Sequence, residues 1–334
     1  MPDEQRPVTV GELSEQAVLA RVFPLLPTAR GTLLGPGDDA AVVAAPDGRF
    51  VVTTDVLVED RHFRRAWSTG EDVGHRAAVQ NLADVAAMGA RPTSLVVSLV
   101  VPDDLPVTWV EGLARGLAAA STPVGAGVVG GDLSGGPLVV VAVTAHGDLE
   151  GRAPVTRAGA RPGDVVALAG EPGRSAGGLA VLTAGRSSAA LAEVGPAADE
   201  AVARYLRPRS PLAAGPAAAL AGASAMLDVS DGLLRDAGRI AAASGVLLDL
   251  DEDALAPDVA ALAPLAARLG ADVRHWVLAG GEDHALLATF PPGTALPAPF
   301  RTVGRVRAVD GAGPRVLVGG GEADVAPGWD HFAG

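Results

Sequence analysis

The sequence contains no cysteine and no lysine, and each absence excludes a group of functions. Without cysteine the chain can form no disulfide, thiolate nucleophile or iron–sulfur site, which fits a reducing compartment. All 26 basic residues are arginine, so there can be no lysine Schiff base and no P-loop with its phosphate-binding lysine. Any phosphate group must therefore be bound by arginine, backbone N–H groups or metal ions.

Basic surface and long apolar runs are also missing. The formal net charge of −13 disfavours nucleic acid and anionic membranes as partners, because both are bound through positive surface. No stretch approaches the roughly 20 apolar residues of a membrane span. The first ten residues lack the basic region and apolar run of a signal peptide. We therefore expect a cytoplasmic protein that binds neither nucleic acid nor membrane.

Aromatic residues make up only 3 % of the chain, so its cores must consist mainly of Val, Leu and Ala. Its 334 residues suffice for two domains. Short β-branched runs alternate with Ala-rich helical stretches in both halves, which predicts an α/β or α+β fold. Strands are predicted at 50–54, 95–101, 124–129, 138–144, 165–169, 225–229, 246–250, 285–290 and 301–307. Helices are predicted at 71–88 (capped by Ser68 or Thr69), 107–120, 176–184, 198–206 and 232–243, and in the Ala-rich stretches 213–225 and 254–268.

The segment 147–164 is polar and rich in Gly, Pro and Arg, and it is the best candidate for a domain boundary. The sequence therefore predicts an N-terminal domain over residues 1–147 and a C-terminal domain over 148–334.

Aspartates recur in Gly-rich turns next to predicted strands. The segments concerned are 35–39, with Asp38 and Asp39, Thr53-Thr54-Asp55, Gly130-Gly131-Asp132, 228–232, with Asp228, Ser230 and Asp231, and 280–283, with Glu282 and Asp283. A turn or a helix N-cap explains any one of them alone. Because ligands bind at strand ends in α/β folds, five such segments together favour one shared pocket.

Asp84 is harder to explain as a turn or a cap. It lies in the last turns of the helix predicted at 71–88, on the same face as Asn81 and Met88. A carboxylate that is partly buried near a helix C-terminus needs a cation beside it. Arginine or a metal ion would serve, and the many other acids favour a metal. Oxygen ligands alone select hard cations such as Mg²⁺, which accompany nucleoside triphosphates.

Eight segments occur in the order and spacing of one family: GPGDDAAVV, TTDVLVEDRHF, QNLADVAAMGA, GGD, GRAPVTRAGARPGD, DVSDGL, GGED and GWDHF. Through them the chain resembles the thiamine-monophosphate kinases, of the aminoimidazole ribonucleotide synthetase superfamily. The resemblance implies a homodimer of two-domain subunits, in which the N-terminal sheet pairs across the dimer and a larger α/β domain follows. It also implies transfer of phosphate from ATP to thiamine monophosphate, with several Mg²⁺ ions, direct transfer and no catalytic residue beyond the metal ligands.

Residue roles follow from the resemblance position by position. The implied metal ligands are Asp39, Thr53, Thr54, Asp55, Asp84, Asp132, Asp228 and, as an additional one, Asp231. The implied nucleotide contacts are Gly131, Asp132, Arg157 and Ser230. The implied acceptor contacts are His62, Glu282 and Trp329. A surface histidine and a terminal core residue remain ordinary explanations of His62 and Trp329.

The chain departs from the family pattern at four positions. Ala83 replaces a common Ser, His284 and Ala285 follow GGED where Tyr-Glu is typical, and Trp329 replaces a common Tyr. Two other readings stay open. One is another ATP-using enzyme of the superfamily, although a selenophosphate synthetase would need a reactive cysteine or selenocysteine. The other is a non-catalytic nucleotide- or metal-binding protein.

Overall fold

The computed structural model describes residues 6–35, 40–185, 194–326, 328 and 329. The chain divides into two compact units, which we describe separately. The N-terminal unit comprises residues 1–85 and 91–150, and the C-terminal unit comprises 86–90 and 151–334. Both contain helices and a β-sheet, which confirms the predicted α/β class. Among the described residues, no helix combines the length and apolar character that crossing a membrane requires.

The N-terminal unit is built on a four-stranded sheet with the order β3-β6-β4-β5. Strands β4 and β5 are parallel, and the other neighbours are antiparallel. A separate antiparallel pair, β1–β2, precedes the sheet. The elements are α1 Glu15–Val22, β1 Thr32–Leu34, β2 Val42–Val43, β3 Val51–Val58, α2 Gly70–Ala87, β4 Arg91–Val101, α3 Val107–Ser121, β5 Gly127–Gly135 and β6 Val140–Asp148.

The two faces of this sheet differ in polarity and exposure. Val141, Val143 and Ala145 of β6 are fully buried on one face, which we call the covered face. The strand residues between them point to the other face, where Val52 and Val56 of β3 are 54 % and 45 % exposed. We call this second face the open face.

Helices α2 and α3 pack with their backbones almost in contact. A Cβ placed on Gly74 would lie 2.0 Å from the carbonyl oxygen of Leu113, and one on Gly116 would lie 2.0 Å from that of Glu71. Gly70 and Gly112 complete the two Gly-x-x-x-Gly stripes that make this approach possible. Thr69 caps α2, because the Asp72 N–H donates to its hydroxyl at 3.2 Å and the Thr69 N–H donates back to the Asp72 carboxylate at 2.9 Å. The predicted cap is therefore confirmed at Thr69.

The C-terminal unit is a six-stranded sheet with helices against both faces. Its order is β12-β9-β11-β7-β10-β8, and only the β12–β9 pair is parallel. The elements are β7 Val165–Ala169, α4 Arg174–Ala184, α5 Gly195–Leu206, α6 Ala214–Leu220, β8 Ala225–Val229, α7 Leu233–Ser244, β9 Leu247–Leu250, α8 Glu252–Leu269, α9 Val273–Ala279, β10 Ala285–Phe290, β11 Arg301–Arg307 and β12 Arg315–Val318. Alternate residues of β7, β8 and β10 enter two separate apolar clusters. Their unbroken apolar runs are therefore strands buried on both sides.

Two predicted strand ends were wrong. Thr53-Thr54-Asp55 lies in the middle of β3, and Gly130-Gly131-Asp132 lies inside β5. Gly and Asp disfavour strands and so suggest an end, but pairing with β6 and β4 continues through both segments. Helix α1 and the short elements β1, β2, α9 and β12 were not predicted, because runs of two to eight residues carry too little periodicity.

Candidate functional site

The candidate site of the N-terminal unit is a carboxylate–hydroxyl pair between β3 and α2. The hydroxyl of Thr53 donates a hydrogen bond of 2.7 Å to Oδ2 of Asp84. Thr53 and Asp55 point to the same, covered face of the sheet, since they are two residues apart on β3. The structure thus places Thr53 in contact with Asp84 and Asp55 on the same strand face as Thr53. Asp84 is half-buried near the C-terminal end of α2, as the sequence predicted.

Two further predicted metal ligands of this unit lie on the open face instead. Thr54 donates to the carbonyl oxygen of Val143 at 3.0 Å and accepts from the hydroxyl of Thr144 at 3.2 Å. Asp132 pairs in register with Ser98 of β4, which pairs with Ala142 of β6, so it shares the face of Thr54. Strands β3 and β5 are three inter-strand spacings apart, about 14 Å. A single sheet therefore does not bring Asp132 to Asp55 and Asp84.

A large apolar pocket of about 870 Å³ opens on the Gly131–Asp132 side of the N-terminal unit. Its wall includes α1 and α3 side chains such as Val18, Leu113 and Leu117, together with Gly130, Gly131 and Asp132 of β5. Gly131 permits the close approach of β4 to β5, because a Cβ there would lie 2.0 Å from the carbonyl oxygen of Val97. The pocket is wide enough for a flat, largely apolar group next to a backbone that carries Gly131 and Asp132.

The other predicted residues of this unit have local contacts or fall outside the described residues. His62 accepts a hydrogen bond at Nδ1 from the Val58 N–H at 3.0 Å, in the loop that follows β3. This bond fixes the ring orientation and leaves the role of the residue open. Asp39 lies outside the described residues.

In the C-terminal unit, Glu282 and His284 of the GGED-His segment lie beside the end of β8. Oδ2 of Asp228 lies 3.3 Å from Nδ1 of His284, and Nε2 of His284 lies 3.9 Å from Oε2 of Glu282. Burial by itself would lower the pKa of His284, but the carboxylates of Asp228 and Glu282 outweigh it and raise the pKa to about 10. The two acids therefore favour the protonated form of the imidazole.

Asp283, the residue between Glu282 and His284, anchors this loop. Its carboxylate accepts hydrogen bonds from the N–H groups of Gly173 at 2.5 Å and Ser175 at 2.7 Å, at the N-terminus of α4. Burial raises its pKa to about 6, although the two N–H donors oppose the rise. Asp283 is thus a structural acid, which the sequence grouped with the turn but gave no role.

Asp231 is engaged in an ion pair rather than in a turn alone. Arg239 approaches its Oδ2 to 2.5 Å and also pairs with Asp236. Asp236 is fully buried, and burial raises its pKa to about 7 against the opposing charge of Arg239. Neither Asp236 nor Arg239 was predicted, because on α7 they are an ordinary acid–base pair three residues apart.

The segment that carries Arg157 is fixed by a serine from α7. The hydroxyl of Ser244 accepts from the N–H groups of Gly159 and Ala160, both at 3.1 Å, and donates to the carbonyl oxygen of Arg157 at 3.0 Å. Gly159 has φ of 137°, a value that glycine tolerates and other residues do not. Ser244 was not predicted, since it lies 87 residues from Arg157 in sequence.

Ser230 and Trp329 lie beside Asp231 through backbone bonds. The Glu282 N–H donates to the carbonyl oxygen of Ser230 at 2.7 Å, and the Trp329 N–H donates to that of Asp231 at 3.0 Å. Trp329 is 53 % exposed, so it is not the terminal core residue that the sequence left open. The predicted residues 228–231, 282 and 329 therefore form one neighbourhood within the C-terminal unit.

In the part of the chain that the structure describes, protein side chains alone do not form a complete metal site. Within the described ranges, no three His, Asp or Glu side chains lie close enough together to hold a metal ion by themselves. The oxygens of Thr53, Asp55 and Asp84 in the N-terminal unit, and those of Asp228 in the C-terminal unit, are nevertheless the hard donors that suit Mg²⁺. A divalent ion bound in either unit would take part of its coordination from bound phosphates or water, as is usual for Mg²⁺.

Comparison with known proteins identifies both parts of the chain. The family model "AIR synthase related protein, N-terminal domain" matches residues 37–149, and the corresponding C-terminal domain model matches residues 161–296. Over 324 residues the chain is 49 % identical to the thiamine-monophosphate kinase of Mycobacterium tuberculosis, covering 97 % of this chain and 93 % of that one. It is 43 % identical over 301 residues to that of Corynebacterium glutamicum, covering 89 % and 87 %.

The solved structures agree with this similarity. The structure of AaThiL complexed with AMPPCP and TMP superimposes with a TM-score of 0.76 at 32 % identity. The match covers 88 % of this chain and 91 % of that one. Sequence and fold are therefore similar over most of both chains.

Proposed function

The chain belongs to the thiamine-monophosphate kinase family, and from this premise we propose that it converts thiamine monophosphate to thiamine diphosphate by direct, in-line transfer of the γ-phosphoryl group of ATP. The observation that carries the proposal is the Thr53–Asp84 pair, with Asp55 on the same face of β3. It keeps hard oxygen ligands together in a chain that has no lysine to bind phosphates. The related AaThiL complex contains AMPPCP, an ATP analogue, and TMP.

Each predicted ligand has its own place in the proposal. Thr53, Asp55 and Asp84 would hold Mg²⁺ in the N-terminal unit, and Asp228 would do so in the C-terminal unit. When bound, the ions would offset the repulsion between donor and acceptor phosphates. Asp231 would have to exchange its ion pair with Arg239 for a metal. Thr54 is assigned by resemblance alone, because its hydroxyl already bonds the backbone of β6.

The nucleotide and the acceptor would meet different groups. Gly131 and Asp132 of β5 both line the apolar pocket and are proposed to contact the nucleotide there. Arg157 provides a planar guanidinium fork for a phosphate, and Ser230 a hydroxyl for the nucleotide. His62, Glu282 and Trp329 are proposed to contact thiamine monophosphate, Trp329 through the face of its exposed ring, which suits a cationic heterocycle.

The acceptor requires no general base. A phosphate monoester has a second pKa of about 6, so the attacking oxygen already carries charge at neutral pH. The protein must then align the two anions and offset their repulsion. Direct transfer follows from this chemistry, and a phosphorylated enzyme is not needed.

The proposal is tested by coupled measurement of ADP formation with thiamine monophosphate and Mg²⁺. We expect thiamine diphosphate and ADP in equal amounts, and a loss of about 100-fold or more in kcat for Asp84→Asn, because the amide cannot replace an anionic ligand. Full activity in that variant would remove Asp84 from the metal set. Tight binding of ATP without ADP formation would instead support a binding protein, and a trapped phosphoenzyme would exclude direct transfer.

We also propose a homodimer formed through the open face of the N-terminal sheet. Val52 and Val56 are about half exposed there, and Phe50 next to β3 is 58 % exposed. Phe50, Val52 and Val56 form an exposed apolar row along the edge strand β3, interrupted by Thr54, and exposed apolar side chains of this kind are typical of a surface that a second copy covers. A cytoplasmic location goes with the proposal, since ATP is an intracellular substrate.

A further inference from the structure

His284 is a buried ionisable residue that the proposed function leaves without a role. Its side chain is 4 % exposed, and it stands where the family pattern has tyrosine. Its two ring nitrogens face two different acids, Asp228 at 3.3 Å and Glu282 at 3.9 Å. One of these acids is a proposed metal ligand and the other a proposed acceptor contact, so a single ring connects the two.

The backbone of the loop that positions the His284 ring is strained. Glu282 and His284 both adopt left-handed conformations, with φ of 68° and 51°, which are strained for residues other than glycine. Two hydrogen bonds to the end of β8 fix the loop: the Glu282 N–H to the Ser230 carbonyl oxygen at 2.7 Å and the His284 N–H to that of Val229 at 3.0 Å. Residues with a strained backbone are concentrated at functional sites.

One ring nitrogen has an incomplete environment. Nε2 of His284 is buried, and within the described residues it has no hydrogen-bond partner, because 3.9 Å to Glu282 is too long for a hydrogen bond. An unsatisfied buried polar atom is costly. The Glu282 side chain is 38 % exposed, so it can move the roughly 1 Å that would close this gap.

We propose that His284 is a positioning residue that fixes the carboxylate of Asp228 and donates from Nε2 to the Glu282 carboxylate, which moves towards the ring when the acceptor occupies the site. This inference rests on the proposed function, since it is Asp228 and Glu282 that would contact the metal and the acceptor. Groups that orient metal ligands typically change metal affinity or activity by 10- to 100-fold when removed. His284 would thus couple metal binding to acceptor binding within the C-terminal unit.

Two substitutions distinguish the contact of His284 with Asp228 from its contact with Glu282. His284→Gly removes the ring and relieves the left-handed strain. His284→Asn keeps a short polar group that tolerates the same backbone and reaches only Asp228. The matched control is His275→Asn, because His275 lies exposed on α9 of the same unit. Circular dichroism and melting curves establish that each variant is folded.

The measurements are KM for thiamine monophosphate, KM for ATP, and Mn²⁺ binding by electron paramagnetic resonance without acceptor. For His284→Gly we expect at least a 10-fold rise in the acceptor KM, at least a 10-fold weaker Mn²⁺ affinity, and an ATP KM within about two-fold of wild type. For His284→Asn we expect Mn²⁺ affinity within about three-fold and the same rise in the acceptor KM.

The proposal is overturned if acceptor KM and Mn²⁺ affinity are unchanged in a folded His284→Gly protein. It is also overturned if both KM values rise equally, as a general loss of structure would cause. If His284→Gly does not fold, His284→Asn decides through its acceptor KM. Absence of ADP formation in the wild-type protein would contradict the proposed function instead, and the Mn²⁺ measurement would still test His284.

Discussion

At the scale of single residues, the roles of the acids are decided by what stands beside them. Asp84 has a hydroxyl partner at 2.7 Å, Asp231 has an arginine at 2.5 Å, and Asp283 has two backbone N–H donors. An aspartate can therefore be a candidate metal ligand, a member of an ion pair or the anchor of a helix N-terminus. Which one it is depends on partners that are distant in sequence.

Replacing Ser244 should weaken nucleotide binding selectively. Ser244→Ala removes a hydroxyl that bonds the backbone of Arg157, Gly159 and Ala160, so the segment that carries Arg157 would be less restrained. We expect KM for ATP to rise about 3- to 10-fold, corresponding to roughly 0.7–1.4 kcal/mol, with KM for thiamine monophosphate unchanged. Ser244→Thr keeps the hydroxyl and should restore the ATP KM. Equal KM values for ATP in the alanine variant and wild type would contradict this role.

Asp283 should make the protein less stable as pH rises. The pKa of its carboxyl is raised from 3.8 to about 6 by burial, so between about pH 4 and 6 the native state retains a proton that the unfolded state has lost. The free energy of unfolding should therefore fall as pH rises through this window, by up to about 3 kcal/mol. Asp236 adds to the fall, since its pKa is also raised, to about 7.

The measurement is urea denaturation of wild type and Asp283→Asn at several pH values from 4 to 8. The variant should show a flatter dependence between pH 4 and 6. At pH 8 it should be less stable by roughly 1–3 kcal/mol, because one of the α4 N–H groups loses its acceptor. Identical pH profiles would show that Asp283 does not titrate in this window.

At the scale of elements, close packing of α2 and α3 holds Asp84 near β3. The glycine stripes allow the two helix backbones to approach more closely than any side chain would permit. Because Asp84 lies on α2, any separation of the two helices would displace its carboxylate from Thr53. The stripes are thus a structural requirement of the candidate site.

Gly74→Ala should destabilise the N-terminal unit and weaken activity. The new methyl group would lie 2.0 Å from the carbonyl oxygen of Leu113, so the helices must separate, at a cost of about 1–3 kcal/mol or more. Gly238→Ala on α7 is the matched control, because its nearest neighbour is a Val316 methyl at 4.0 Å. It should be neutral or stabilising by up to about 1 kcal/mol. The melting temperature of each variant is compared with that of the wild type. Equal decreases in the two variants would contradict the packing argument.

At the scale of the whole molecule, the open face of the N-terminal sheet carries exposed apolar side chains, among them Val52 and Val56. The C-terminal sheet, by contrast, is covered by apolar clusters on both faces. Exposed apolar side chains on a sheet face are stabilised when another element or a second copy covers them. The proposed homodimer provides that cover.

Val56→Asp should therefore convert a dimer into a monomer. Val56 is 45 % exposed, so the substitution costs little in one copy, whereas it would place a charge in the interface between two copies. Val309→Asp is the control, since Val309 is 44 % exposed outside this face. Light scattering after size-exclusion chromatography gives the mass of each variant. A monomeric wild-type protein, or a Val56→Asp protein that stays dimeric, would exclude this interface.

The sequence by itself determined the α/β class, most of the longer helices and strands, and the set of acids that the family resemblance marks. Hydrophobic periodicity acts over neighbouring residues, so elements such as α2, α7 and β10 can be read locally. The eight motifs likewise identify the family because their order is a property of the chain alone.

The tertiary structure decided where those residues meet. It placed Asp132 on the opposite face of the sheet from Asp55, paired Asp231 with Arg239, and set His284 between Asp228 and Glu282. It also extended β3 and β5 through segments whose Gly and Asp content favours a strand end. Strand register and contacts between residues dozens of positions apart fix these outcomes, and no local pattern contains them, because their free energy depends on partners that only folding brings together.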